Sequence, residues 1–206
     1  MVADLLLPRD VRGWLGFITI AGLTLAFVLL HVVGLPAGAD RPLFMGAMKL
    51  GYVPFLAQNV IIGGAIFIAL ISPGYLVRRE IPLGEYYTLL LVATLGMVAL
   101  AATTELLTLF LNIELLSIAL YVLVGIEKHN LRSTEAAFKY FLLGSFSGAF
   151  LLFGIAFVFG ATGLMQYDRI AAAIAAGEVR EPLFLAIGLV LMFVGFSFKL
   201  TLAPFH

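Results

Sequence analysis

Cysteine is absent from the 206 residues of this chain, and charged residues make up only 12% of them. Without cysteine, no disulfide framework can form and no thiolate can act as a nucleophile or metal ligand. Twelve basic residues balance twelve acidic ones, so the chain has no excess of positive charge with which to bind nucleic acid. The scarcity of charge also excludes a soluble globular domain, in which about 25% of residues are charged.

Apolar residues, in contrast, make up 63% of the sequence, and the mean hydropathy is +1.12. A helix needs about 20 mostly apolar residues to cross a bilayer, and the chain contains several such runs. The ten-residue alternating segments of a membrane barrel do not occur. The sequence therefore predicts an all-α, polytopic transmembrane bundle in which residues 1–206 form a single domain. The predicted helices cover residues 13–33, 55–77, 86–103, 106–126, 136–160 and 183–203.

The loops predict how some of these helices are joined. Only residues 103–105 separate the third helix from the fourth, which predicts a tight antiparallel hairpin. Ser133 precedes the fifth helix and Glu135 lies in its first turn, which predicts an N-terminal cap with favourable charge. The first ten residues lack a signal-peptide pattern and resemble the end of an earlier apolar segment, so we expect the native chain to begin upstream.

Lysine and arginine are divided unevenly between the two ends of the predicted bundle. Six lie on the amino-terminal side, at Arg9, Arg12, Arg78, Arg79, Lys128 and Arg132, and four on the other, at Arg41, Lys49, Arg169 and Arg180. The positive-inside rule places the first group in the cytoplasm. Aromatic residues near the span ends are predicted to be interfacial anchors: Trp14, Tyr52, Tyr86, Tyr87 and Tyr167. His31 and His129 are predicted to be interfacial or solvated.

One acidic residue, Glu114, lies in the middle of a predicted span. A charge at this depth costs at least about 2.5–3.5 kcal/mol, so it must face protein, water or another charge. Thr108, Asn112, Ser117 and Tyr121 share its helix and predict a polar stripe facing the bundle interior. Two interpretations stay open: a structural ion pair between helices, or ion or proton conduction by a carboxylate coupled to a buried lysine.

Two basic residues also fall inside predicted spans, and Lys139 is the first. It lies one turn after Glu135, which is placed to hold it. Lys139 is either a snorkelling residue that reaches the interface or a functional group inside the bundle. Gly144 and Gly148 follow with the small-xxx-small spacing that lets a neighbouring helix approach closely.

Lys199 is the second, and it ends a charge-free run over residues 182–198. Pro204 cannot continue a helix, so a break is predicted just past the lysine. His206 would then come next along the chain, and lysine, broken helix and histidine together predict a proton relay. A proline kink with a snorkelling lysine is the structural alternative.

Three motifs carry a family likeness. They are the LNIELLSIALY segment around Glu114, the STEAAFKYFLLG segment around Lys139, and GFSFKLTLAPFH from residue 195 to His206. In this order and spacing, residues 104–206 resemble the antiporter-like membrane subunits, of type N, of the proton-pumping NADH:quinone oxidoreductase, respiratory complex I. The preceding helices resemble that family more loosely.

The resemblance implies a proton-translocating channel containing Glu114, Lys139 and Lys199, with His206 continuing the hydrophilic axis. It also implies a fold of fourteen helices in two inverted five-helix repeats with discontinuous helices at the channels. The present chain would supply about six helices, including the first repeat and a Pro-broken last helix. We therefore expect it to correspond to roughly the front half of a longer subunit.

The function that this resemblance implies is redox-driven proton translocation in a bacterial inner membrane. The charge of Glu114 would set the pKa of Lys139, and the proton would then move towards Lys199 and His206. The chain would bind no cofactor or metal itself, because NADH and quinone are substrates of the assembled complex. Its expected partners are other membrane-arm subunits and the lipid bilayer, and the isolated chain is expected to be inactive. The alternatives are a subunit of a multi-subunit cation/proton antiporter and a structural spacer in a membrane arm.

Overall fold

The structure is a computed structural model that describes residues 13–33 and 41–204. Within these ranges eight α-helices follow one another: α1 (Trp14–Val33), α2 (Tyr52–Ile71), α3 (Pro73–Arg78), α4 (Leu83–Ala101), α5 (Leu106–Val124), α6 (Leu131–Thr162), α7 (Tyr167–Ala175) and α8 (Pro182–Lys199). Six of them, α1, α2, α4, α5, α6 and α8, are long and apolar enough to cross a membrane. All six predicted spans are therefore confirmed as helices, and the chain is a multi-pass integral membrane protein.

The second predicted helix, over residues 55–77, is interrupted. It ends at Ile71, and α3 begins again at Pro73. Proline is tolerated in the first turn of a helix, where its missing N–H has no partner to lose. The hydropathy of the segment continues across this point, which is why sequence reasoning joined the two helices.

The predicted cap of α6 is also corrected. The helix begins at Leu131, and Asn130 is its N-cap, with the side-chain oxygen accepting a hydrogen bond of 3.1 Å from the backbone N–H of Arg132. Ser133 instead donates to the carbonyl of Val124 at 2.6 Å. Asn and Ser are comparable capping residues, so residue type alone does not favour Ser133 over Asn130.

Secondary structure also occurs in two segments that were predicted to be loops. Strands β1 (Arg41–Leu43) and β2 (Met48–Leu50) form a short antiparallel hairpin, and α7 lies between α6 and α8. The hairpin meets the α4–α5 turn through Lys49 N–H and the Ala102 carbonyl, at 2.8 Å. The segment before α7 meets the same turn through Leu106 N–H and the Met165 carbonyl, at 3.0 Å. Together these loops close one end of the bundle.

The helices form two packed groups. In the first, α1, α2 and α4 surround a core that contains Leu76 and Ala69, both fully buried. In the second, α5, α6 and α8 surround Leu151, Ile155 and Val158. The predicted α4–α5 hairpin is confirmed and joins the two groups. Large apolar side chains remain exposed on the outside of the spans, as contact with lipid or neighbouring helices requires.

Glycine allows α6 and α8 to pack at backbone distance. A Cβ atom added to Gly154 would lie 2.7 Å from the carbonyl oxygen of Gly188, and one added to Gly195 would lie 3.0 Å from Cα of Leu151. The two helices run antiparallel, and the start of α8 is level with the end of α6, because Arg180 N–H, just before α8, donates to the Ala161 carbonyl near the end of α6. These contacts fix the register between the helices.

In that register α8 is much shorter than its neighbour. With 1.5 Å of rise per residue, the 32 residues of α6 extend about 48 Å and the 18 residues of α8 about 27 Å. The last helix therefore stops about 20 Å short of the start of α6. It ends at Lys199 and not at residue 203 as predicted.

The break itself comes before Pro204. Thr201 adopts a positive φ of 53°, and the N–H of Leu202 donates to the carbonyl of Ser197 at 2.9 Å. Thr201 N–H donates to the carbonyl of Phe198 at 3.1 Å. These two bonds form a Schellman motif, which normally places glycine at the left-handed position. The predicted interruption beyond the lysine is confirmed, but its proximate cause is the conformation of Thr201.

Candidate functional site

The site lies where the end of α8 meets the middle of α5. Lys199 is the last residue of α8, and its ammonium nitrogen is 3.8 Å from Oε1 of Glu114. The side chains are only 16% and 23% exposed, respectively. Because α8 stops early, its terminal lysine reaches the interior of the helix group and not a membrane surface. The buried lysine that was predicted to accompany Glu114 is therefore Lys199.

Two hydroxyl groups complete the surroundings of the ammonium. Lys199 donates to Oγ of Ser117 at 2.6 Å and to the hydroxyl of Tyr121 at 3.3 Å, and its nitrogen lies 5.7 Å from the centre of the Tyr121 ring. Glu114, Ser117 and Tyr121 are spaced i, i+3 and i+7, which places them on one face of α5. Among the described residues, α5 thus supplies the hydrogen-bond acceptors and the carboxylate that surround the Lys199 ammonium.

The α6 helix forms the wall opposite these side chains. A Cβ atom added to Gly148 would lie 2.6 Å from Oε1 of Glu114, and one added to Gly144 would overlap the hydroxyl of Tyr121. The close approach predicted from the Gly144–Gly148 spacing is confirmed, and the helix that approaches is α5. Within the described part of the chain, Oε1 of Glu114 is buried and accepts no hydrogen bond.

Lys139 has different surroundings. It forms an ion pair with Glu135 one turn earlier, as predicted, and the two side chains are 67% and 63% exposed. This pair lies near the start of α6. Glu114 pairs with Lys199 and Lys139 pairs with Glu135, so any influence of Glu114 on Lys139 acts without a direct ion pair.

The polar stripe predicted along α5 is split between two faces. Asn112 donates to the hydroxyl of Thr103 at 3.2 Å, near the end of α4, and Thr108 donates to Glu105. Asn112 and Glu114 are two residues apart, which places them about 200° apart around a helix. The first face joins α5 to its loop neighbours, and only the second belongs to the site.

The remaining candidates are the histidines and the aromatic residues that were predicted to lie at the membrane interface. His206 lies outside the described residues. His31 is exposed and hydrogen-bonds to the carbonyl of Phe27 at 2.9 Å, which fits the predicted interfacial role. Trp14 and Tyr52 are 63% and 68% exposed, as interfacial anchors should be, but Tyr87 is only 3% exposed and packs in the core of the first helix group. Its assignment as an anchor is wrong.

Sequence reasoning found each residue of the site but not the partnership between Glu114 and Lys199. Helical periodicity relates residues of one helix, and it carries no information on which face of α8 meets α5. The informative signal is the pair Ser117 and Tyr121, which lie on the same face as Glu114 and can accept from a lysine. Among the described residues, no group of three His, Asp or Glu side chains could hold a metal ion.

Fold and site together define a polytopic helical membrane protein with a buried carboxylate–lysine pair at the end of an interrupted span. Residues 103–206 match the family model described as NADH:quinone oxidoreductase/Mrp antiporter, TM. The chain belongs to this family. The predicted resemblance is confirmed, and with it the antiporter-like helical fold and the integral inner-membrane location.

Relatives cover the whole chain. It is 36% identical over all 206 residues to NADH-quinone oxidoreductase subunit N of Trichlorobacter lovleyi, spanning 42% of that protein. It is 38% identical, over 97% of its length, to the subunit N of Chloroflexus aggregans, of which it spans 41%. The chain thus covers about two fifths of the length of these curated relatives.

Solved structures agree with the fold. A chain of respiratory complex I from Thermus thermophilus, with bound aureothin, superposes with a TM-score of 0.77 at 32% identity, covering all of this chain and 42% of the other. A chain of the Mrp complex from Dietzia superposes with a TM-score of 0.72 at 19% identity, covering 95% of this chain and 22% of the other. The second likeness is one of fold alone.

Proposed function

We propose that this chain is part of a proton-translocating membrane subunit of an NADH:quinone oxidoreductase. The support comes from relatives named subunit N along its full length and from the likeness to a chain of respiratory complex I. On this proposal its partners are the other membrane-arm subunits and the surrounding lipid.

The observation that carries the proposal is the Glu114–Lys199 pair at the interrupted end of α8. A carboxylate and an amine 3.8 Å apart in the bundle interior stabilise each other's charged forms, so moving a proton on or off one changes the proton affinity of the other. Such a pair can load and release a proton if an external event separates or joins the two side chains.

The required driving energy is modest. Moving one charge against 100 mV costs about 2.3 kcal/mol, and one unit of pKa corresponds to about 1.36 kcal/mol. A change of less than about two units in the proton affinity of a buried group therefore suffices. At an effective dielectric constant of about 20, moving the Lys199 nitrogen from 3.8 Å to about 8 Å from Glu114 changes their interaction by about 2.3 kcal/mol.

The proposed relay keeps the predicted order of residues. Lys139 and its partner Glu135, near the start of α6, would exchange protons at one end, and Lys199 would pass the proton on towards His206. Electron transfer from NADH to quinone would take place in other subunits, because this chain is proposed to carry no redox centre. The isolated chain is accordingly expected to be inactive.

Replacement of Glu114 by Gln in the assembled complex tests the proposal. The variant keeps the side-chain volume but removes the charge, so we expect NADH oxidation to continue while proton uptake per electron falls severalfold. Glu85→Gln is the matched control, since Glu85 forms an exposed ion pair with Lys128 at 3.0 Å. Unchanged pumping in Glu114→Gln, equal to that of Glu85→Gln, would remove Glu114 from the relay.

A cation/proton antiporter subunit is the second candidate function. The family model covers both kinds of protein, and the fold matches a chain of an Mrp complex. Sodium-dependent proton release from vesicles that lack NADH:quinone oxidoreductase activity would favour this candidate. Proton translocation that requires NADH oxidation and is indifferent to sodium would favour the first.

A further inference from the structure

We infer that Ser117, assisted by Tyr121, is a positioning residue that holds the Lys199 ammonium in a second seat, away from Glu114. The inference rests on the proposed function for its purpose, but its geometry stands on this chain alone. The hydroxyl seat is defined as Oγ of Ser117 and the phenol oxygen of Tyr121. The seat gives Lys199 an alternative to the carboxylate.

The distances show which of the two positions is occupied. The Lys199 nitrogen lies 2.6 Å from Oγ of Ser117, a short hydrogen bond, and 3.8 Å from Oε1 of Glu114, beyond hydrogen-bonding distance. An ammonium normally favours a carboxylate over a hydroxyl, because Coulomb attraction between opposite charges adds to the hydrogen bond. The Lys199 ammonium nevertheless donates to the two hydroxyls. It stays within ion-pair distance of Glu114, whose Oε1 accepts no hydrogen bond among the described residues.

The other hydrogen bond that Ser117 makes determines whether Ser117 donates to Lys199 or accepts from it. Its single O–H donates to the carbonyl of Ile113 at 2.6 Å, so only its lone pairs are available to Lys199. Ser117 can accept from the lysine but cannot hand it a proton without breaking the bond to Ile113. It therefore positions Lys199 and does not belong to the relay itself.

The seat is also rigid. Ser117 and Tyr121 are 4% and 6% exposed, and the Tyr121 ring packs edge-on against Tyr140, with ring centres 4.7 Å apart. The absence of a side chain at Gly144 leaves room for the Tyr121 hydroxyl. Neither acceptor can move far, so the mobile component is the flexible lysine side chain.

The empty position on Glu114 is confined in the same way. Its Oε1 is buried and unbonded among the described residues, and Gly148 leaves it just enough space. A buried carboxylate oxygen without a partner is destabilising, so it attracts either the ammonium or a proton. The Lys199 ammonium thus has two positions about an ångström apart, one on the hydroxyl seat and one hydrogen-bonded to Glu114. The hydroxyls compete with the carboxylate for it. Removal of the Ser117 hydroxyl should transfer the ammonium to Glu114.

Infrared spectroscopy of the full chain in lipid nanodiscs tests this transfer directly. With 13C-labelled glutamate, the carboxylate band of Glu114 is the one that disappears in Glu114→Gln. In Ser117→Ala we expect that band to move to the position of a hydrogen-bonded carboxylate. Ser117→Thr keeps the hydroxyl and should leave the band where the native chain has it.

Tyr121→Phe provides a second arm, because it removes the weaker acceptor and keeps the ring. A smaller shift in the same direction is expected, and this arm decides the matter if Ser117→Ala does not fold. A Glu114 band that stays in place in the folded variants overturns the inference, as does a shift in Ser117→Thr equal to that in Ser117→Ala. The infrared measurement does not depend on pumping. The inference about Ser117 can therefore fail while Glu114→Gln still lowers proton translocation, and it can hold if Glu114→Gln leaves translocation unchanged.

Discussion

Gly148 is the residue that makes a carboxylate at position 114 possible. Any side chain on α6 at this point would occupy the space of Oε1, which lies 2.6 Å from the position of a Cβ atom. A Cβ atom at position 148 would therefore force the Glu114 carboxylate to shift from its present place between α5 and α6. The glycine therefore serves the site as well as the packing of α5 against α6.

Gly148→Ala is expected to destabilise the protein by about 1–3 kcal/mol through overpacking. Thermal unfolding in detergent measures the change. Gly64→Ala on α2 is the matched control, because a Cβ atom there meets nothing within 4 Å. That substitution should be neutral or stabilising by about 0.5–1 kcal/mol. Equal effects from the two variants would contradict the close contact at Gly148.

The positions at which the helices end determine the site, and the sequence predicts these ends less well than it predicts the helices. The apolar runs sufficed to predict six spans, because hydropathy measures what a bilayer requires of each segment. They did not predict that α8 ends at Lys199, since Thr201 has no turn signal and only the fold reveals its positive φ. The Glu114–Lys199 pair was hidden for the same reason: its geometry depends on the register between α6 and α8, which glycine contacts set after folding.

Glu127, in the loop between α5 and α6, links neighbouring helices through its carboxylate. Its carboxylate accepts hydrogen bonds of 2.9 Å from Asn130, the cap of α6, and from Tyr75 on α3. These two bonds hold the pKa of Glu127 below its ordinary value of 4.5. Burial opposes them, and the charge of Arg79 adds a smaller lowering effect. Glu127 thereby ties three elements together at one end of the bundle.

A carboxylate with a lowered pKa in the folded state stabilises the protein above its unfolded pKa and stops doing so as the pH falls through the folded value. We therefore expect the native chain to lose thermal stability as the pH drops below about 4.5. In Glu127→Gln that loss should be smaller. Glu178→Gln, an exposed carboxylate after α7, should retain it. If the native chain and both variants lose the same thermal stability at low pH, Glu127 makes no such contribution.

For the whole molecule, a formal net charge of zero conceals an uneven distribution. Most charges lie in loops at the two ends of the bundle, and the interior of the second helix group holds the Glu114–Lys199 pair. Arg78, Arg79, Lys128 and Arg132 line one open groove of about 930 Å³ at the end where α3 meets the α5–α6 loop. This clustering agrees with the predicted cytoplasmic side.

The absence of cysteine makes this orientation directly measurable. Single cysteines at His129 and Ala176 would report on exposed positions in the α5–α6 loop and after α7, at opposite ends of the bundle. In intact cells a membrane-impermeant maleimide should label Ala176→Cys and not His129→Cys, and inverted vesicles should show the reverse. Labelling of His129→Cys from outside intact cells would invert the proposed topology.

We propose that Glu114 and Lys199 move protons and do more than hold helices together. The double variant Glu114→Gln/Lys199→Met separates these roles, because removing both charges leaves no unpaired buried ion and is often tolerated structurally. The measurement is the number of protons pumped per electron by the assembled complex in proteoliposomes. We expect a complex that assembles and oxidises NADH but pumps severalfold fewer protons per electron. Assembly with a native proton-to-electron ratio would contradict this proposal and leave the pair a structural spacer.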